Sequence, residues 1–81
     1  MRFVPLQSSN LTGIAYDQSN EHLYAQFVNG GVYKYSYVPG DVVLSVIFDP
    51  ISQAKAFTAK IKNGDFPFEK VTDLEGLGLH V

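Results

Sequence analysis

The stretch Leu23–Pro39 reads LYAQFVNGGVYKYSYVP and predicts a β-hairpin. Two runs of alternating apolar and polar residues flank the sequence Asn29-Gly30-Gly31, and such a pattern around Asn-Gly is the strongest short-range hairpin signal. In the second run, tyrosine recurs at positions 33, 35 and 37, so the three phenol rings share one face of the predicted strand.

The length of the turn decides which face carries the lysine of the second run. A two-residue turn would place Lys34 on the same face as Phe27, where desolvation of the ammonium costs on the order of several kcal/mol. A three-residue loop over Asn29-Gly30-Gly31 avoids this conflict, and we predict that register. The predicted pairs are Phe27–Tyr33, Ala25–Tyr35 and Leu23–Tyr37, and the opposite face carries Tyr24, Gln26, Val28, Val32, Lys34 and Ser36.

A further strand is predicted before the hairpin. Ile14 and Tyr16 alternate within Leu11–Asp17, and Gly13 indicates a bulge or a close backbone contact. The polar segment Asp17–Glu21 is typical of a loop, so the three strands form an antiparallel meander.

Two helices are predicted after the sheet. Residues 42–48 follow Pro39 and Gly40, with Asp41 as the N-cap, although this β-branched run also suits a buried strand. The second helix runs from Ser52 to Lys62 and stops at Asn63-Gly64. Its apolar stripe of Ala54, Phe57 and Ile61 is expected to cover the tyrosine-bearing face of the sheet.

The predicted fold class is therefore α+β, a three-stranded antiparallel meander covered on one face by two short C-terminal helices. With 81 residues the chain has room for one domain, which we place at residues 1–71. Residues 72–81 are predicted to be a C-terminal tail, or a short edge strand in which Leu77, Leu79 and Val81 alternate.

Composition limits the classes of function. The net charge of −2 is a poor overall match for a polyanion-binding protein, which leaves only a local basic patch. The absence of cysteine excludes disulfides, thiolate metal sites and cysteine nucleophiles. No apolar run approaches about 18 residues, and the N-terminus lacks a signal peptide, so no membrane association and a cytoplasmic location are expected.

The sequence contains no catalytic or metal-binding motif. His22 and His80 are far apart and lack the spacing of a metal site, and the aspartates fall at predicted turns or caps. No paired-carboxylate, phosphate-loop or dinucleotide-binding motif is present. We therefore predict that the protein is not an enzyme and needs neither a metal nor a cofactor.

Two groups of residues remain as candidate ligand contacts. Aromatic side chains on a sheet can stack nucleobases, but the predicted register points the three tyrosines of the second run at the core. Tyr24 should instead lie exposed beside Gln26 and Lys34, and this trio is the predicted contact surface on the sheet. Lys55 and Lys62, together with Lys60 and Lys70, form either a phosphate-binding edge or an ordinary solvated face.

Several motifs follow the order seen in a known family. They are Ser8-Ser9-Asn10-Leu11, Ile14-Ala15-Tyr16-Asp17, Asn29 to Tyr35 with its two tyrosines, Val38-Pro39, and Ser52 to Ile61. Over residues 6–71 the sequence resembles the KTSC family, the lysyl-tRNA-synthetase C-terminal domain family of bacterial and phage proteins. The resemblance implies the fold and, through the synthetase context, RNA binding. Ser52-Gln53-Ala54 departs from the family's Ser-Lys-Gly, which puts a ligand contact there in doubt.

Three hypotheses about function follow. The first is a small non-enzymatic binding module for RNA, single-stranded nucleic acid or a nucleotide, and its predicted contacts are Tyr24, Gln26, Lys34, Lys55 and Lys62. The alternative is a module for protein interaction or self-association, through the exposed sheet face or an edge strand. A catalyst is the least supported. The family context favours the binding module.

Overall fold

Within the part of the chain that the structure describes, five antiparallel strands form one sheet whose spatial order follows the chain. The computed structural model describes residues 3–73 and residue 76. The strands are β1 (Val4–Pro5), β2 (Leu11–Asp17), β3 (His22–Phe27), β4 (Val32–Tyr35) and β5 (Phe68–Val71). Between β4 and β5 lie helix α1 (Gly40–Ile47) and helix α2 (Gln53–Phe57), and α2 continues into a π-helical segment (Thr58–Lys62).

The predicted α+β class, with an antiparallel sheet and two helices, is confirmed, but the prediction of three strands is wrong. β1 has only two residues, which is too short for an alternating pattern to be visible in sequence. β5 joins the sheet because the chain returns along β4 after the helices, where Ser36 N donates to Pro67 O at 2.8 Å. The edge strand predicted at Leu77, Leu79 and Val81 lies outside the described residues.

The β3–β4 hairpin has a three-residue loop, but the loop is Val28–Gly30, one residue earlier than predicted. Phe27 N donates to Gly31 O at 2.8 Å, and Gly30 adopts the positive φ of 93° that the turn requires. The strands therefore pair two residues out of the predicted register, and the predicted pairs are wrong. The observed pairs are Leu23–Tyr35, Tyr24–Lys34, Ala25–Tyr33 and Gln26–Val32.

The predicted division of side chains between the two sheet faces is nevertheless correct for the paired residues. Because side chains alternate with a period of two, a shift of two residues leaves each one on its original face. Tyr37 is the exception, since it was predicted to pair with Leu23 and point into the core. It lies beyond the end of β4 with a positive φ of 63° and is 73% exposed.

Gly13 combines the two roles that the sequence indicated. The β2–β3 register shifts between Leu11 and Gly13, which marks a bulge. A Cβ atom at this position would also lie 2.6 Å from the carbonyl oxygen of Val4, so only glycine permits β1 to approach β2 this closely.

The main core lies between the helices and the sheet face that carries Tyr35. This arrangement confirms that the helices cover the tyrosine-bearing face. The buried side chains are Leu11, Ile14, Leu23, Ala25, Tyr35, Val38, Val43, Val46, Ala56, Phe57 and Ile61. The predicted stripe is correct at Phe57 in α2 and at Ile61 in the π-helical segment, whereas Ala56 is more deeply buried than Ala54.

The helix boundaries differ slightly from prediction. Residues 40–47 form a helix and not a strand, and its N-cap is Pro39, so Asp41 lies in the first turn and the predicted capping role of Asp41 is wrong. Ser52, the predicted start of the second helix, is the N-cap of α2, and its Oγ accepts from Lys55 N at 3.1 Å. No helix among residues 3–73 is long and apolar enough to cross a bilayer.

Candidate functional site

The sheet face opposite the helices is not the open surface that the sequence predicted. Tyr24 is 2% exposed and Gln26 is 7% exposed, so the expectation that both are accessible is wrong. Phe3 and Val71 pack against a second buried cluster, formed by Ala15, Tyr24 and Val32. The two edge strands that sequence reasoning missed bring these covering residues close to the face.

Lys34, the third member of the predicted trio, is engaged in an ion pair across β4 and β5. Its Nζ lies 2.8 Å from Glu69 Oε1. The hydrogen bond to Glu69 raises the pKa of Lys34, and the same bond lowers the pKa of the Glu69 carboxyl. Lys34 thus already has a carboxylate partner.

The predicted helix lysines lie away from that trio. Lys55 and Lys62 are exposed on the α2 side, whereas Tyr24, Gln26 and Lys34 lie on the opposite face of the sheet. The structure therefore does not bring the five predicted residues together in one site. Of these five residues, Lys62 lines a cleft with aromatic walls, which is described below.

Five aromatic side chains form a closed ring of contacts on the helix side of the sheet, where β4 meets β5 and α2. Each ring is in contact with two neighbours, at centroid separations between 5.6 and 6.4 Å. Most of the contacts are edge-to-face, which is a favourable geometry for aromatic pairs. In order around the ring, the residues are Phe27, Tyr33, Phe68, Tyr35 and Phe57.

Part of this ring opens into a cleft of about 460 Å³, which we call the aromatic cleft. Its size falls within the roughly 300–1,000 Å³ that is common for small-molecule sites. Phe68 is 64% exposed at its wall, whereas Tyr35 is buried. The lining residues are Phe27, Asn29, Tyr33, Tyr35, Lys62, Asn63 and Phe68.

The polar groups of the aromatic cleft come from two turns. Asn29 lies in the hairpin loop, where its Oδ1 accepts from Gly31 N at 2.9 Å, so the group it can offer a ligand is the amide NH₂. Lys62 and Asn63 lie where the π segment ends, and Asn63 N donates to Thr58 O at 3.0 Å. The cleft thus combines flat apolar walls with amide and ammonium donors.

The hydroxyl of the buried Tyr35 is a further hydrogen-bond donor in the aromatic cleft. Burial, with a smaller contribution from Tyr33, raises the pKa of Tyr35, so its hydroxyl stays protonated at neutral pH and can donate a hydrogen bond. No group of three or more potential metal-ligating side chains occurs among residues 3–73 and 76.

Sequence reasoning missed most of the aromatic cleft. Phe68 was visible in the segment Phe66-Pro67-Phe68, but its position beside Tyr35 depends on β5 pairing with β4. Tyr33 was placed on the correct face but assigned to the core, whereas it is only partly buried. A strand prediction for residues 68–71 would have added the fifth strand, but the pairing of that strand with β4 would still have been missing.

Comparisons with known proteins agree with this fold. A crystal structure of a KTSC domain protein from Yersinia pestis superposes with a TM-score of 0.76 at 31% sequence identity, covering 86% of this chain and 96% of that one. An uncharacterized protein of Stutzerimonas stutzeri strain A1501 is 38% identical over 47 residues, which are 58% of this chain and 66% of that protein. This chain thus spans just under two thirds of that relative's length. The KTSC domain family matches residues 7–66, and the chain belongs to that family.

Proposed function

We propose that the protein is a small non-enzymatic binding module for RNA, single-stranded nucleic acid or a nucleotide, and that a nucleobase stacks in the aromatic cleft. The observation that carries this proposal is the exposed ring of Phe68, which faces Tyr33 and Tyr35 in a cleft rimmed by Lys62. Stacking on aromatic side chains is the common mode by which proteins hold single-stranded bases.

The exposure of Phe68 supports a ligand at this position. Covering a phenylalanine side chain stabilises a protein by about 1.5–3 kcal/mol, yet this ring is left 64% exposed on an edge strand. A flat aromatic ligand would cover it while keeping the edge-to-face contacts beneath intact. The neighbouring Asn29 and Asn63 supply amide groups for the polar edge of a base.

Charge supports an anionic ligand at the same site. The described residues that line the aromatic cleft include Lys62 and no carboxylate, although the chain as a whole carries a net charge of −2. A phosphate attached to a stacked base would therefore meet an ammonium group and no acidic side chain.

The test is calorimetric titration of adenosine 5′-monophosphate into the parent protein and the variant Phe68→Ala. We expect the variant to bind about 5- to 150-fold more weakly, because one aromatic stacking contact contributes about 1–3 kcal/mol. Phe68 lies largely in solvent, so the variant should fold.

The matched control is Phe48→Ala. Phe48 is 74% exposed at the end of α1 and does not line the aromatic cleft, so its removal should leave the Kd unchanged. Equal Kd values for the parent and Phe68→Ala would contradict the proposal, as would flat titrations of the parent with all four mononucleotides.

A further inference from the structure

A second cleft adjoins the aromatic cleft on the side of α2. It has a volume of about 330 Å³, and its walls share Phe27, Asn29 and Lys62 with the aromatic cleft. We call it the side cleft. The residues that line the side cleft alone are Ser8, Asn10, Leu11, Val28, Ala54, Phe57 and Thr58. Because three residues line both, the two clefts lie side by side, and we call the pair of clefts the groove.

The side cleft differs from the aromatic cleft in its chemistry. Ser8 Oγ accepts from the backbone N–H groups of Asn10 and Leu11 at 3.0 Å each, so its hydroxyl proton is a donor for another group. Thr58 Oγ1 donates to Ala54 O at 3.0 Å and retains acceptor capacity. These hydroxyls, with the Asn10 amide, suit the sugar and polar base edges of a nucleotide.

We infer that the groove takes two consecutive nucleotides of a single strand. One base stacks in the aromatic cleft, the linking phosphate meets Lys62, and the adjoining nucleoside occupies the side cleft. This inference rests on the proposed function, since it extends the ligand of the same site from a mononucleotide to a dinucleotide step.

The position of Lys62 is the main support for this reading. Lys62 lines both ligand-sized clefts, so a linker between two bound units would pass beside this residue. A phosphodiester is an anionic linker, and the described lining of both clefts contains no carboxylate that would repel it. A nucleic acid strand thus fits the charge of the groove and its division into two adjacent clefts.

The experiment compares the Kd of adenylyl-adenosine with those of adenosine 3′- and 5′-monophosphate, using the parent protein and the variant Asn10→Asp. We expect the dinucleotide to bind about tenfold or more tightly than either mononucleotide. Asn10→Asp places a negative charge in the side cleft with little change in shape. It should remove most of the gain in dinucleotide affinity while changing mononucleotide affinity less than about twofold.

The matched control is Gln18→Glu, which makes the same change in net charge. Gln18 lies in the exposed β2–β3 loop, at the opposite end of β3 from the hairpin that borders the groove, so both affinities should be retained. Hexaglutamate is titrated in parallel and should bind far more weakly than the dinucleotide.

Equal affinity for the dinucleotide and the mononucleotides would overturn the inference and leave the proposed function intact. Equal weakening of all three ligands by Asn10→Asp would also overturn it, as would tight binding of hexaglutamate. Flat titrations with every nucleotide would overturn the proposed function itself, and the inference with it.

Discussion

Gln26 and Gln53 differ in how well the polar atoms of their side chains are hydrogen-bonded. Gln53 Nε2 donates to Ile47 O at 2.7 Å, and its Oε1 accepts from Gln7 N at 2.8 Å, so it ties the chain before β2 to the end of α1. Gln26 is 7% exposed, and its Oε1 has no hydrogen-bond partner among the described residues. A buried acceptor without a donor destabilises a folded protein.

Replacing each glutamine by methionine, which has a similar shape, should therefore have different effects. We expect Gln26→Met to leave the free energy of unfolding within about 1 kcal/mol of the parent or to raise it, because the variant removes an unpaired buried acceptor. The same change at Gln53 should cost about 1–3 kcal/mol, because two backbone groups lose their partners. Urea unfolding followed by circular dichroism measures both. A larger loss at Gln26 than at Gln53 would contradict this account.

At the scale of elements, the π segment connects the core to the proposed site. Phe57 and Ile61 are both buried, while Lys62 reaches the groove at the end of the segment. Each π turn takes in one more residue than an α turn, which shifts the direction of the following side chains by roughly 100°. The segment thus sets where Lys62 and Asn63 lie relative to α2, and π-helical turns are frequent at functional sites.

The cap of α2 fixes the start of this element. Ser52→Ala removes the acceptor for Lys55 N, so we expect it to lower the free energy of unfolding by about 0.5–2 kcal/mol. Ser9→Ala is the control, because Ser9 lies in an exposed turn before β2 and should change stability by less than about 0.5 kcal/mol. Thermal unfolding followed at 222 nm compares the two variants, and equal stabilities would show that the cap has no role.

For the whole molecule, the pKa shifts of the titratable groups predict that the free energy of unfolding is nearly constant around neutral pH. Hydrogen bonds lower the pKa values of Asp17, Asp49 and Glu69 in the folded protein below their ordinary 3.8, 3.8 and 4.5. These three carboxylates therefore contribute to the free energy of unfolding above those pH values, and this contribution is lost as the pH falls through their pKa values in the folded protein. Burial, as the largest cause, raises the pKa values of Tyr24 and Tyr35 above 10.0, so their contribution is lost as the pH rises beyond that value.

Urea midpoints measured between pH 3 and pH 11 should therefore fall at both ends of the range. Glu69→Gln should flatten part of the acid limb, because the variant has no carboxylate to protonate beside Lys34. The same variant should be less stable than the parent at pH 7. A midpoint that is constant from pH 7 down to pH 3 would contradict the assignment of these pKa shifts.

Local signals in the sequence determined the hairpin, the helices and the side-chain parity of the central strands. Asn29 and Gly30 favour a turn. The alternation of Tyr33, Lys34 and Tyr35 separates the two faces in the same way in any two registers that differ by two residues. Ser52 as a helix cap and Gly13 as a bulge are likewise local, because each depends on neighbouring backbone geometry.

The exposure of each face and the location of the groove were decided only by tertiary structure. β5 has four residues and pairs with β4 across two intervening helices, and this pairing places Phe68 beside Tyr35 and Glu69 beside Lys34. Nothing within those four residues specifies their partners, since strand pairing depends on contacts distant in sequence. The same pairing helps to bury Tyr24 and creates the aromatic cleft, so the candidate site could not be assembled from local patterns alone.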